Sequence, residues 1–246
     1  MTFFEAIVSG IVQGVTEFFP VSSSGHLVIL HRLIGLKEPQ IVFDIFLHLG
    51  TLAAIFVVFR KDIIAMFTTN KKVGVFVLLG TVTTVVFVLL FNNRIEAAFN
   101  SAGMVGAMLI LTGAWLIVGS FFKVSAKGLS GPKSILIGLA QGIATIPGIS
   151  RSGATISSGL FLGLEPDQAV RFSFLLSIPA IIGAFLFKLK DIAAVSFSAN
   201  HVAGFITSCI IGILALKLLL RIVYRKKLHF FGIYCVAAGI LALLFL

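Results

Sequence analysis

Two short stretches of the chain hold nearly all of its reactive side chains. The first carries Gln13 and Glu17, then Pro20-Val21-Ser22-Ser23-Ser24-Gly25-His26; the second runs Pro147-Gly148-Ile149-Ser150-Arg151-Ser152-Gly153-Ala154-Thr155. Gln13 and Glu17 are four residues apart and share one face of a helix. Ser22, Ser23, Ser24 and Gly25 at a helix start offer side-chain caps and free backbone N–H groups for an anion. Arg151 between Ser150 and Ser152, with Thr155 one turn on, is suited to clamping phosphate. The two stretches together supply a base or metal ligand, a nucleophile or acid, and an anion clamp.

Each of these residues also has a structural alternative. Ser22, Ser24, Ser150 and Ser152 suit helix contacts, Gln13 an interhelical hydrogen bond, Glu17 with Arg151 a buried ion pair, and His26 a core histidine. The coincidence of all of them at two breaks favours function. Asp44 and His48 share a face near the start of a span, where the mouth of a cavity and a plain helix end are both open readings. His31, His201 and His229 read as interfacial, Trp115 and the tyrosines carry no sign of a site, and Cys209 and Cys235 read as small buried hydrophobes.

The elements that position these residues follow from composition. Of 246 residues, 59% are hydrophobic and 11% charged, with a mean hydropathy of +1.14. Soluble domains carry about 25% charged residues, so a soluble globule and a disordered chain are excluded. The net charge of +10 does not indicate nucleic acid, because Lys and Arg sit in short clusters between apolar runs, as at membrane interfaces. No cleavable leader is expected, since the first apolar stretch carries Glu5, Gln13 and Glu17 and lacks a basic start.

A spanning helix needs about 20 apolar residues. Segments 43–60, 73–91, 103–122, 170–188, 201–222 and 229–246 meet that length. Regions 4–33 and 134–162 are apolar but broken at the two reactive stretches, and each half is too short to span. Broken backbone at membrane depth must face protein or water, which makes each region a re-entrant helical hairpin lining a cavity.

The hairpins match each other. A constant offset of 128 residues pairs Gly10 with Gly138, Gln13 with Gln141, Gly14 with Gly142, Ser22 with Ser150, Ser24 with Ser152 and Gly25 with Gly153. Phe59-Arg60-Lys61-Asp62-Ile63 is echoed by Lys188-Leu189-Lys190-Asp191-Ile192. The chain therefore reads as an all-α polytopic membrane protein with one integral membrane domain. Repeat 1 covers 1–128 and repeat 2 covers 129–246, each a hairpin plus three spans. An odd number of crossings inverts the second copy, and the two breaks should meet near the pseudo-two-fold axis.

The positive-inside rule orients the chain. Arg60, Lys61, Lys71, Lys72, Lys123, Lys127, Lys133, Arg171, Arg221, Arg225, Lys226 and Lys227 fall on one side, against Arg32, Lys37, Arg94, Lys188 and Lys190 on the other. The first group should be cytoplasmic, so both termini and the mouth of the first hairpin face outward.

The pattern Gln13-x-x-x-Glu17, Pro20-Val-Ser-Ser-Ser-Gly-His26 and Pro147-Gly-Ile-Ser-Arg151-Ser-Gly-Ala-Thr155 resembles the undecaprenyl-diphosphate phosphatases of the bacitracin-resistance type, along essentially the whole chain. The resemblance implies a bacterial inner-membrane enzyme that removes one phosphate from undecaprenyl diphosphate. Such an enzyme recycles the lipid carrier for the cell wall and confers bacitracin resistance. It also implies dependence on a divalent cation, magnesium or calcium. Carried across, Glu17 is an essential acid that helps to hold the metal or activate water, and Gln13 stands where some relatives have a second carboxylate. Arg151 matches the phosphate-binding arginine, with Ser150 and Thr155 beside it, and His26 and Ser23 match the residues that compete for nucleophile or proton donor. The type-2 phosphatidic-acid phosphatase signature is a weaker match, because no second histidine follows Arg151 before His201.

The implied reaction places the diphosphate at the outer side and the prenyl tail in lipid. Arg151 and hairpin N–H groups neutralise the phosphate beside a cation near Glu17. His26 is the favoured attacking group, because an imidazole needs no separate base near neutral pH, with Ser23 or an activated water as the other routes. A transporter is the rival function, since inverted repeats with midplane breaks also carry substrates across bilayers, and a lipid-flipping role is compatible with the enzyme. Undecaprenyl diphosphate and membrane lipid are the expected partners, nucleic acid is not, and the sequence is compatible with a homodimer.

Overall fold

The computed structural model describes residues 1–36, 40–98, 102–121, 128–189, 197–224 and 228–245. Lys37, Lys123, Lys127, Lys190, Asp191, Ile192, Arg225, Lys226, Lys227 and Leu246 lie outside the described residues, as does the side chain of Arg94. The regular elements among the described residues are all helices, as lipid demands of a chain that must satisfy its own backbone groups.

Four short helices make up the two broken regions: α1 (Phe3–Thr16), α2 (Ser23–Leu33), α7 (Gly131–Ile143) and α8 (Arg151–Phe161). At 1.5 Å per residue, 11 to 14 residues reach only about 17–21 Å of an about 30 Å hydrocarbon layer. Six helices are long and apolar enough to cross: α3 (Ile41–Val58), α5 (Lys71–Ala98), α6 (Ala102–Ser120), α9 (Pro166–Phe187), α10 (Ala199–Tyr224) and α11 (Leu228–Phe245). They coincide within a few residues with the segments expected from sequence, and the chain is a multi-pass membrane protein.

One element was not expected. The joint Arg60-Lys61-Asp62 is the first turn of a separate helix, α4 (Arg60–Phe67), with Asp62 at its positive end. None of its residues is buried, and Ile64 and Phe67 are exposed beside the two basic residues. Apolar and basic residues on one short exposed helix suit the boundary between headgroups and hydrocarbon.

Glycines decide how closely the helices approach. Cβ atoms on Gly10 and Gly14 of α1 would each lie 2.9 Å from a backbone oxygen of α10, that of Gly204 and Ser208 respectively. Gly138 of α7 meets the Gly80 backbone of α5 in the same way, and Gly142 lies against the Phe87 side chain. Between α6 and α11, Gly106 faces Gly239 and Gly113 faces Gly232, each against the other's backbone. Small residues of this kind let helices pack where no hydrophobic force drives them together.

Both breaks are inside the protein. Phe18, Pro20, Val21 and Ser22 are buried in the first, Pro147 through Ser150 in the second, and α8 is buried without interruption from Ser152 to Leu160. The main core lies beneath them, where Phe174 of α9 takes Phe18 edge-on at 5.4 Å and stacks on Phe59 at 5.9 Å.

Candidate active site

The two breaks touch. Ser152 donates to the Phe19 carbonyl at 3.2 Å, and Arg151 reaches across to Glu17. Glu17 caps the C-terminus of α1, where its backbone N–H still donates to the Gln13 carbonyl. Its buried carboxylate gathers polar groups from four elements. One oxygen accepts from Arg151 Nη2 at the start of α8. The other accepts from Gln13 Nε2 of α1 at 3.0 Å and Ser23 Oγ at the start of α2 at 2.6 Å, with His48 Nε2 of α3 at 3.5 Å.

Arg151 is held on one side only. Its guanidinium carbon lies 6.0 Å from the centre of the Phe174 ring, and Nη1 is buried without a hydrogen-bond partner. Gln13 likewise keeps an unpartnered buried oxygen, Oε1. A cationic donor and an amide oxygen thus stand unsatisfied on either side of the carboxylate. Unpaired buried groups of this kind are costly, and a ligand with both anionic oxygens and counter-ions would satisfy them.

The flanking hydroxyls divide into two groups. Ser150 caps α8 by accepting from the Gly153 N–H at 3.1 Å, Ser152 holds the first break, and Thr155 bonds Ser173 at 2.6 Å and its own helix at 2.8 Å. These three are buried and spent within the protein. Ser22 caps α2 at the Gly25 N–H with a left-handed backbone (φ 68°), a conformation that costs a non-glycine residue strain and is stored here in the wall of the site. Ser23 and Ser24 are only half-buried, and both α2 and α8 begin at the junction with their positive ends.

His26 does not join the Glu17 cluster. Its Nδ1 donates to the Ser22 carbonyl at 2.7 Å, which leaves Nε2 as the acceptor for the Tyr234 hydroxyl at 2.7 Å, with the rings stacked 5.6 Å apart. Tyr234, which carried no sign of a site in the sequence, is therefore a partner of His26. His48, read from sequence as a cavity mouth or a helix end, sits against Glu17 with its Nδ1 on the Asp44 carbonyl at 2.7 Å. Only knowledge of which face α3 presents could have shown this. Behind it, His31 and Asp44 approach to 3.9 Å.

Among the described residues no group of three His, Cys, Asp or Glu is placed to hold a metal. A divalent ion here would rest on Glu17 and Gln13 Oε1 and need further oxygens from elsewhere. Beside the junction a small apolar pocket of about 40 Å³ opens between α6, α7 and α8, lined by Leu111, Trp115, Ala140, Ile143 and Ala154, with Ser150 among its lining. Cys235 is buried and Cys209 partly so, both as free thiols.

The model of the family described as bacitracin resistance protein BacA matches residues 6–241. An undecaprenyl-diphosphatase of Methanosphaera stadtmanae is 40% identical over 97% of this chain and 96% of its own length. Proteins of the same name from Desulfosudis oleivorans and Carboxydothermus hydrogenoformans are 41% and 40% identical, over 96% and 98% of this chain and 95% and 96% of their own lengths.

Proposed function

The chain belongs to the bacitracin resistance protein BacA family, and we propose that it is an undecaprenyl-diphosphatase whose chemistry runs where the two breaks meet. It hydrolyses undecaprenyl diphosphate to undecaprenyl phosphate and inorganic phosphate, the recycling step for the cell-wall lipid carrier. The observation that carries the placement is the Glu17 carboxylate, with a serine hydroxyl at 2.6 Å on one oxygen and a guanidinium on the other. A hydroxyl in contact with a base, beside a cation, is the arrangement phosphoryl transfer needs.

The terminal phosphate meets Arg151 Nη1, while the apolar pocket faces the part of the prenyl chain nearest the diphosphate. Ser23 Oγ gives its proton to Glu17 and bonds to the terminal phosphorus. The bond from that phosphorus to the bridging oxygen breaks, and undecaprenyl phosphate leaves with the electron pair. Once that proton has left Glu17 by way of His48, the carboxylate deprotonates a water that attacks the phosphoserine; the bond from phosphorus to Oγ breaks, inorganic phosphate leaves, and Ser23 Oγ takes the proton from Glu17. His48 holds Glu17 from behind and passes its proton onward. His26, favoured from sequence as the attacking group, instead braces the Ser22 turn, because both its ring nitrogens are engaged.

A divalent cation, Mg2+ or Ca2+, is part of this reading. Glu17 and Arg151 cancel each other's charge, so the several negative charges of a diphosphate need another counter-ion. Gln13 Oε1 and Glu17 are hard oxygens of the kind these ions prefer, and substrate oxygens complete the shell. When bound, the ion supplies charge neutralisation at the phosphate.

The inverted repeat belongs to the same reading. The hairpins exchange partners, α1 packing on α10 and α7 on α5, and the Gly106–Gly239 and Gly113–Gly232 contacts are reciprocal, as a two-fold relation between the repeats would make them. Each short helix pair then re-enters from its own side of the cytoplasmic membrane. Arg60, Lys61, Lys71, Lys72, Lys133, Arg171 and Arg221 mark the cytoplasmic face, and the site opens outward.

The test is trapping with a prenyl diphosphate labelled in its terminal phosphate. Wild type and His26→Ala should accumulate a labelled protein after acid quenching, and Ser23→Ala should not. Label retained in Ser23→Ala but lost in His26→Ala would transfer the nucleophile to the histidine. Phosphate release that survives Ser23→Ala, Glu17→Ala and Arg151→Ala together would remove the site from the junction.

A further inference from the structure

A second polar cleft opens where α3, α4, α9 and α10 converge. It has a volume of about 500 Å³, and its wall includes Val57, Arg60, Lys61, Asp62, Arg171 and Lys217. Four cations there face one carboxylate, and that carboxylate is already committed. Asp62 receives Arg171 Nη1 at 2.9 and 3.0 Å, while Arg171 Nε donates to Asp167 at 2.7 Å. The pairing ties α4 to α9 and presents Arg60 and Lys61 along one wall. Among the described residues, neither these two nor Lys217 has an ion pair, and all three are exposed.

The cleft is not a lobe of the active site. Arg171 lies 6.0 Å from the Phe59 ring, Phe59 stacks on Phe174 at 5.9 Å, and Arg151 lies 6.0 Å from the far ring. Two stacked phenyl groups therefore separate the two arginines. The surroundings of the cleft are those of a membrane boundary. It lies at the end of α3 and the start of the interfacial helix α4, Val57 is 51% exposed on its rim, and Leu214, one turn before Lys217, is 60% exposed. Uncompensated positive charge next to outward-facing aliphatic side chains fits a molecule with an anionic phosphate head and hydrocarbon chains.

We infer that this cleft binds the phosphate headgroup of an anionic phospholipid, with the acyl chains lying along α3 and α10. Arg171, fixed by its two carboxylates, forms the floor, and Arg60, Lys61 and Lys217 supply the mobile charge. The inference is independent of the catalytic assignment, since none of these side chains takes part in the chemistry.

The experiment is native mass spectrometry of the full chain in detergent, titrated with phosphatidylglycerol, with zwitterionic phosphatidylcholine, and with phosphatidylglycerol plus inorganic phosphate. Wild type should retain phosphatidylglycerol in preference to phosphatidylcholine, and an equal concentration of inorganic phosphate should not displace it. Each basic side chain near a lipid phosphate contributes about five-fold in affinity, so Lys61→Gln/Lys217→Gln should weaken phosphatidylglycerol binding by about 25-fold. Phosphate release from a soluble short-chain prenyl diphosphate by the same variant should stay at the wild-type rate, which also shows that it folds. Should that variant lose activity, wild type alone decides: retention of phosphatidylglycerol must fall steeply with ammonium acetate concentration. Equal retention of the two lipids, a salt-independent adduct, unchanged binding by the active double variant, or displacement by inorganic phosphate would each overturn the assignment.

Discussion

Replacing Glu17 by Gln keeps the shape of the hub and removes its charge. The side chains of Glu17 and Arg151 are 5% and 17% exposed, so the variant leaves a guanidinium buried beside Phe174 with no counter-charge. Breaking one side of a buried pair costs about 3–5 kcal/mol. In a chain of this size that lowers the melting temperature by about 6–20 °C. Arg151→Gln should cost a similar amount through the stranded carboxylate. The double variant removes both charges and should melt higher than either single variant.

Catalysis should separate the two residues. Glu17→Gln deprives Ser23 of its base, so kcat should fall by about 10²–10⁴, while Arg151, released to face phosphate, leaves KM unchanged or lower. Arg151→Gln should raise KM as well as lower kcat. The assays are thermal unfolding in detergent and phosphate release at varied prenyl diphosphate. A double variant less stable than both singles, or Glu17→Gln with kcat within threefold of wild type, would refute the reasoning.

Three further outcomes follow from the geometry. Tyr234→Phe removes one hydrogen bond from His26, worth about 1 kcal/mol, and should change kcat by no more than about tenfold, measured by steady-state phosphate release. Gly239→Ala places a Cβ 2.6 Å from the Gly106 carbonyl oxygen, so α6 and α11 must move apart; overpacking of this type costs about 1–3 kcal/mol, visible as a lower melting temperature with residual activity. EDTA should stop phosphate release and Mg2+ or Ca2+ restore it; full activity in excess chelator would remove the cation from the mechanism.

The membrane architecture was legible because its signals are local. Six apolar runs of sufficient length fix six spans, and the Pro, Gly and Ser clusters at 20–25 and 147–153 mark the two breaks. The pairing of Glu17 with Arg151 was also within reach, since charged residues near the two breaks are so few that either has few possible partners. His48 and Tyr234 were not, because their roles depend on which faces of α3 and α11 turn toward the hairpins. That is a property of packing and not of spacing. The helix that begins at Arg60 was not legible either, because its eight residues fall in the gap between two expected spans and are too few to stand out beside them. Ser150, Ser152 and Thr155 read naturally as phosphate ligands, yet a serine that caps a helix and a serine that binds a ligand look the same in sequence.

The stacked Phe59 and Phe174, with Phe18 edge-on against them, are each at most 1% exposed or fully buried between the two arginines. A living membrane stores a voltage, and an enzyme that carves a polar chamber into it thins the insulator at that spot. Here the remaining thickness is aromatic. Three rings without a hydrogen-bonding atom among them stand between the two arginines and offer nothing to which water or a proton could bind. Seen as electrical engineering, the aromatic core between the two arginines is a stretch of dielectric built into the protein itself.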